Sequence, residues 1–182
     1  MIRKFKEEDT VKVMTIWTKG NFKAHDFIDK DYWLENFNRV KNEYLLKSET
    51  YVYVEDEEIK GFISVLDGNY IGAVFVRLDS LRQGIGRKLI NFCKERYDNL
   101  TLNVYEKNVG AILFYIDMGF KNVKIQIDEE TNEKEYVMEW KKETEKIWKS
   151  ENHDFLLDLY WQHNFFVLLY LVSEKWVSSS VG

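Results

Sequence analysis

The sequence predicts a mixed α/β domain: a largely antiparallel sheet with one strand-helix-strand crossover near its middle. Three observations predict it. Segments of β-branched and aromatic residues with period-two alternation fall in the centre and near residue 140, and short turns join most of them. Segments with 3.6-residue apolar spacing come before the first strand cluster and between the later strands. The one long connection between neighbouring strands, residues 77–99, has the length and pattern of a helical crossover.

The elements follow in order. Ile2–Phe5 reads as a short strand, and Glu7 to Asp9 supply acidic residues for the start of a helix with Val13, Ile16, Trp17 and Gly20 on one face. "NFKAHDFIDKD" reads as a polar-aromatic loop. Asp29 or Asp31 caps a second helix, whose apolar stripe is Trp33, Phe37, Val40 and Tyr44. Thr50–Asp56, "GFISVLDG" and "NYIGAVFVRL" form a meander. A helix follows with Ile85, Leu89, Phe92, Cys93 and Arg96 on one face, then the strand Leu100–Tyr105. Asn108 is a fitting N-cap for a last helix that turns Val109, Ile112, Leu113 and Ile116 inward, and Gly119 fits its C′ position. "FKNVKIQID", "EETNE" and "KEYVMEWK" close the domain as a hairpin, giving the order β-α-α-β-β-β-α-β-α-β-β.

Bulk properties narrow the function. A chain of 182 residues with 45% apolar content suits one domain, residues 1–142, plus an extension, residues 143–182. Net charge −5 argues against nucleic acid, whose phosphates call for a basic face. The single cysteine, Cys93, permits no intrachain disulfide, and no residue spacing suggests a metal site. With no apolar signal region at the start, a cytoplasmic setting is expected. The extension carries "FLLDLYWQHNFFVLLYLV", Phe155–Val172. Its uninterrupted apolar run is too short for a membrane span of about 20 residues. A helix packed on the domain or on a second copy, as in a homodimer, is expected; a membrane-surface helix and an extended reading frame are the alternatives.

The candidate site begins at "LRQGIGRKL", Leu81–Leu89. A Walker loop needs Lys-Ser/Thr after its second glycine, and a dinucleotide fingerprint needs a third glycine where Leu89 stands. Both patterns fail. What remains is strand, loop, Gly-x-Gly, helix: an anion site at a helix N-terminus, with free N–H donors, a favourable dipole, and charge from Arg82, Arg87 and Lys88. A tight turn that needs Gly84 and Gly86 only for backbone angles is the plain alternative.

Downstream, "NVGAILFYIDMGF" supplies Asn108, Ala111, Phe114, Tyr115, Gly119 and Phe120. Together with Gly84 and Gly86, these resemble the two signature segments of the GNAT superfamily of acetyl-CoA-dependent N-acetyltransferases. The resemblance spans residues 1–142, and Leu81 departs from it where the family has Gln or Arg. It implies the GNAT fold and acetyl transfer from acetyl-CoA to a primary amine, on a protein or a small molecule, with no metal. The N–H groups of Arg82, Gln83, Gly84, Ile85, Gly86 and Arg87 would hold the pyrophosphate, and Asn108 and Ala111 would border the pantetheine arm. That arm would lie along Ala73–Val76, where an N–H of Phe75 or Val76 would stabilise the oxyanion. The resemblance makes Tyr115 the general acid. His25 is a candidate base in the loop after the first helix, with Tyr70, Tyr105 and Glu106 as others. His25, Phe27, Trp33, Tyr70 and Tyr105 are candidate acceptor contacts, with core packing as the alternative. A non-catalytic acyl-CoA sensor is the rival function.

Overall fold

The computed structural model describes residues Met1–Lys142; the expectations for residues 143–182 lie outside the described residues. Strands β1 (Ile2–Lys4), β2 (Glu49–Glu55), β3 (Glu58–Leu66), β4 (Tyr70–Val76), β5 (Asn99–Tyr105), β6 (Lys121–Ile127) and β7 (Lys134–Lys141) form one sheet in the order β1-β2-β3-β4-β5-β7-β6. Every neighbouring pair is antiparallel except β4 and β5, which are parallel across the helical crossover. The mixed α/β architecture anticipated from the sequence is the one observed.

Helix α1 (Thr10–Ala24) packs on one face of β3 and β4, and α4 (Ile85–Lys94) packs on the same strands. Sandwiching explains why Gly61 to Val65 are buried consecutively rather than alternately. Phe62 and Ile63 are almost wholly buried; each such side chain contributes on the order of 1.5–3 kcal/mol. At the start of the chain, Arg3 forms a bidentate pair with Asp9 at 2.7 and 2.8 Å, tying β1 to the turn that enters α1. Arg3 holds the Asp9 carboxyl below its usual range, mainly through that hydrogen bond.

Three local expectations change. The segment "NFKA" continues α1 instead of opening a loop, and Asn21 faces the interior. Helix α2 (Lys30–Arg39) is capped by Asp29, which accepts from the Asp31 N–H at 2.9 Å. It runs through a π-turn at Val40–Tyr44 into the short α3 (Leu45–Lys47). There the Leu45 N–H bonds to the Val40 carbonyl, an i→i+5 step that inserts one residue. Leu45, only 6% exposed, therefore takes the inward position that a 3.6-residue period assigns to Tyr44, which is 43% exposed. On α4 the buried face is Ile85, Leu89, Ile90 and Cys93. Arg96 lies outside it, with its guanidinium over the Phe92 ring at 3.4 Å.

Candidate active site

The sheet opens between β4 and β5. Tyr70↔Thr101 is the one paired position, supported by the Thr101 N–H to the Asn69 carbonyl at 3.0 Å, and the strands then part toward their C-terminal ends. Residues Ala73 to Val76 are half-buried rather than buried, as expected for a strand with one unpaired edge. Alternation along the β3–β4 ladder decides which peptides face the gap. The Arg77 N–H bonds to the Lys60 carbonyl at 2.7 Å, so the in-phase pair Phe75↔Phe62 is also hydrogen-bonded. The N–H groups of Val74 and Val76 then point to the open edge. This corrects the assignment of Phe75 as a donor: its peptide belongs to β3, and its ring stacks on Phe62 at 5.9 Å against Gly20, where a Cβ would come within 2.3 Å.

Beside the gap, α4 begins without a side-chain cap. Gly84 sits at φ 76°, a left-handed conformation that favours glycine, although a Cβ there would meet nothing within 4 Å. The first-turn N–H groups are therefore left open to an anion. Gly86 has a different reason. Its missing Cβ would lie 3.3 Å from the Phe114 ring, so this glycine lets α4 approach α5 (Val109–Asp117). Of the basic groups, Arg87 pairs with Asp117 and Lys88 donates to the Tyr53 hydroxyl at 3.0 Å. Among the described residues Arg82 makes no ion pair.

Helix α5 starts differently. Asn108 caps it, its Oδ1 accepting from the Ala111 N–H at 3.2 Å. Gly119, at φ 79°, ends it as expected. Tyr115 lies between Phe114 and Phe120, at ring separations of 5.3 and 5.7 Å. Among the described residues its hydroxyl has no hydrogen-bond partner. Burial, with a smaller effect of Tyr70, pushes its phenol above the ordinary range, so it stays protonated at neutral pH.

On the opposite side of the gap, His25 stacks on Trp33 at 5.3 Å and meets Phe27 and Tyr105 edge-on at 5.9 and 5.2 Å. The structure thus brings together four of the five acceptor-side candidates. The fifth, Tyr70, stands at the closed end of the gap, its pKa raised to about 12 by burial first. His25 Nδ1 lies 2.9 Å from Asn21 Oδ1 and Nε2 lies 3.2 Å from Asn108 Nδ2. Desolvation lowers its pKa to about 4. Each ring nitrogen thus faces a side-chain amide. Glu106 is likewise engaged, accepting from Lys134 at 2.8 Å and Tyr136 at 3.0 Å. Trp33 Nε1 is, among the described residues, the one buried side-chain polar atom without a partner.

A family model described as an acetyltransferase (GNAT) domain matches residues 18–141. The chain belongs to the GNAT family. It is 32% identical over 140 residues to the peptidyl-lysine N-acetyltransferase YiaC of Escherichia coli, a match covering 77% of this chain and 96% of that protein. The solution structure of apo YjaB from Escherichia coli superposes with TM-score 0.68 at 26% identity, covering 77% of this chain and 96% of that one. An aminoglycoside 6'-N-acetyltransferase in complex with coenzyme A shares the fold, with TM-score 0.58 at 13% identity, covering 83% and 99%. The protein is an acetyltransferase.

The GNAT segments predicted from sequence, Leu81–Leu89 and Asn108–Phe120, flank the gap. An uncapped helix start, an unpaired strand edge and a protonated phenol fit a pyrophosphate, a peptide-like arm and a thioester in turn. Sequence reasoning missed the polar side chains that stand beside these aromatic rings. Tyr105 donates to Asp128 at 3.1 Å and Tyr32 donates to Glu130 at 2.7 Å. Glu135 is buried, accepts from Asn103 and Gln126 at 2.8 and 2.7 Å, and has a pKa raised by burial. Alternation in "KEYVMEWK" places Glu135 in the polar row with Glu139 and Lys141, opposite Tyr136, Met138 and Trp140, so no local signal marked its burial. No group of three or more metal-ligating side chains occurs among the described residues, and no helix there is long and apolar enough to cross a membrane.

Proposed function

We propose that the protein transfers the acetyl group of acetyl-CoA directly to the side-chain amine of a peptidyl lysine. The observation that carries this reading is the parting of β4 and β5 next to the uncapped Gly84 turn. The N–H groups of Ile85, Gly86 and Arg87 bind the pyrophosphate, and the free edge of Val74 and Val76 pairs with the pantetheine arm. Val76 N–H donates to the thioester oxygen as negative charge develops there. The lysine nitrogen attacks the carbonyl carbon, the C–N bond forms and the C–S bond breaks. Tyr115 donates its hydrogen bond to the departing sulfur. The proton lost by the amine leaves by water and the acidic mouth that Asp128 and Glu130 form beside Tyr105 and Tyr32.

Two features support a lysine acceptor. The Escherichia coli relative at 32% identity is named as a peptidyl-lysine N-acetyltransferase. The acidic side chains on the acceptor side suit a cationic, extended side chain entering between aromatic walls. The test is CoA release with a panel of amines: a lysine peptide blocked at its N-terminus, the same peptide with a free N-terminus and no lysine, spermidine and an aminoglycoside. Acetylation at lysine Nε is expected to be fastest. Faster turnover of spermidine or the aminoglycoside contradicts the lysine assignment. Tight acetyl-CoA binding with no turnover of any amine would point instead to a sensor.

A further inference from the structure

The side chains that His25 touches come from elements far apart in sequence, and their orientations are fixed independently of it. Asn21 Nδ2 donates to the Trp17 carbonyl at 3.0 Å, so its Oδ1 is the atom that faces His25. Asn108 Oδ1 accepts the Ala111 N–H, so its Nδ2 faces His25 from the other side. An oxygen on one flank and an amide N–H on the other permit one neutral tautomer, with the proton on Nδ1. The result is a directional chain in which Ala111 N–H donates to Asn108, Asn108 to His25, His25 to Asn21 and Asn21 to Trp17. The backbone clamps the histidine as well: its N–H bonds to the Asn21 carbonyl at 2.9 Å and its carbonyl accepts from Ile28 N–H at 3.0 Å.

We propose that Asn21, His25 and Asn108 form a positioning relay that locks the first turn of α5 to the last turn of α1 across the open gap. Within the acetyl-transfer reading, on which this rests, the relay holds the Asn108 cap and the Ala111 backbone in the shape that receives the pantetheine arm. His25 is a positioning residue: it acts through Asn108 and exchanges no proton with the acceptor. The bond from Asn108 Nδ2 to His25 adds a second tie to a side chain whose Oδ1 already caps α5, so the cap is held at both ends of its amide.

The test has two arms. Nitrogen-15 NMR of the histidine ring in the wild-type protein at pH 7 reads the tautomer without any variant and without turnover. The expected spectrum has a protonated Nδ1 and an unprotonated Nε2 for His25. A proton on Nε2, or an imidazolium, overturns the relay, whatever the fate of the transferase reading. In the second arm, calorimetry measures CoA binding to His25→Phe, which keeps the stack on Trp33 but removes both bonds, and to His25→Gln, whose amide supplies one donor and one acceptor. Binding about tenfold weaker is expected in His25→Phe, the scale of one lost buried hydrogen bond, with most of the loss recovered in His25→Gln. Unchanged affinity in His25→Phe, or a turnover loss of about 100-fold in His25→Gln with CoA affinity intact, contradicts the relay and makes His25 a catalytic base. Absence of CoA binding by the wild type with the expected tautomer present would count against the transferase reading alone.

Discussion

Helices α4 and α5 touch through Gly86 and Phe114, yet their first turns are finished in opposite ways. The start of α5 is closed: Asn108 caps it and is itself held by His25. The start of α4 is open: a left-handed glycine precedes it, no side chain caps it, and Arg82 and Arg87 stand nearby. Both helix starts have the same dipole and the same orphan N–H groups. What separates the open turn from the closed one is therefore the residue just before the helix. Glycine leaves the donors for a ligand, and asparagine spends them on the fold.

Variants can break this contrast from either side. The largest effect is expected at Tyr115, which shares α5 with the closed turn. Tyr115→Phe should lower kcat about 100-fold while CoA affinity, measured by calorimetry, stays near that of the wild type. An unchanged kcat, with chemistry shown to limit turnover, would remove Tyr115 from the acid role. Next in size is Gly84→Val. A β-branched residue at φ 76° is strained, so CoA binding should weaken by at least about tenfold and stability should fall by roughly 1–3 kcal/mol. Loss of stability with full CoA affinity would reduce Gly84 to a turn residue.

The closed turn should respond in stability first. Asn108→Ala removes the cap and the relay and is expected to cost about 1–2 kcal/mol, read by urea denaturation. Asn108→Ser keeps a capping oxygen but drops the bond to His25. It should restore most of the stability while leaving CoA binding impaired, and equal recovery of both would erase the distinction between cap and relay. The remaining effect is a pH dependence. His25 has a folded pKa near 4 against 6.5 when unfolded, with Asp26 as the opposing charge. The unfolded chain therefore binds the proton more readily between these values. The stability that a neutral His25 contributes is complete above about pH 6.5 and is lost as pH falls toward 4. Urea midpoints across that range should drop more steeply for the wild type than for His25→Gln; parallel curves would mean that His25 is not desolvated.

Much of the closed turn was legible in the sequence. Asn108 before an apolar helical run and Gly119 after it are local signals, and both residues occupy the positions those signals assign. The order of elements along the chain followed from alternation, helical spacing and turn length. The remainder depends on contacts that no local pattern encodes. His25 and Asn108 are 83 residues apart, so no local pattern shows that this candidate base has its ring nitrogens against Asn21 and Asn108. Gly86 read as part of a Gly-x-Gly anion site, and its packing role, a missing Cβ facing Phe114, shows only in the fold. Tyr44 lost its inward place to Leu45 because one i→i+5 bond shifted the helical phase. Phe75 and Val76 were indistinguishable until the β3 register showed which peptide was already paired.

The contrast between the two helix starts can be read directly from backbone amides. A nitrogen-15-labelled sample titrated with CoA should show large shifts and slowed hydrogen exchange at Ile85, Gly86 and Arg87. Ala111, whose N–H already bonds to Asn108, should keep its exchange rate. Saturable CoA binding that leaves the amides of Ile85 to Arg87 unmoved would contradict the open-turn assignment.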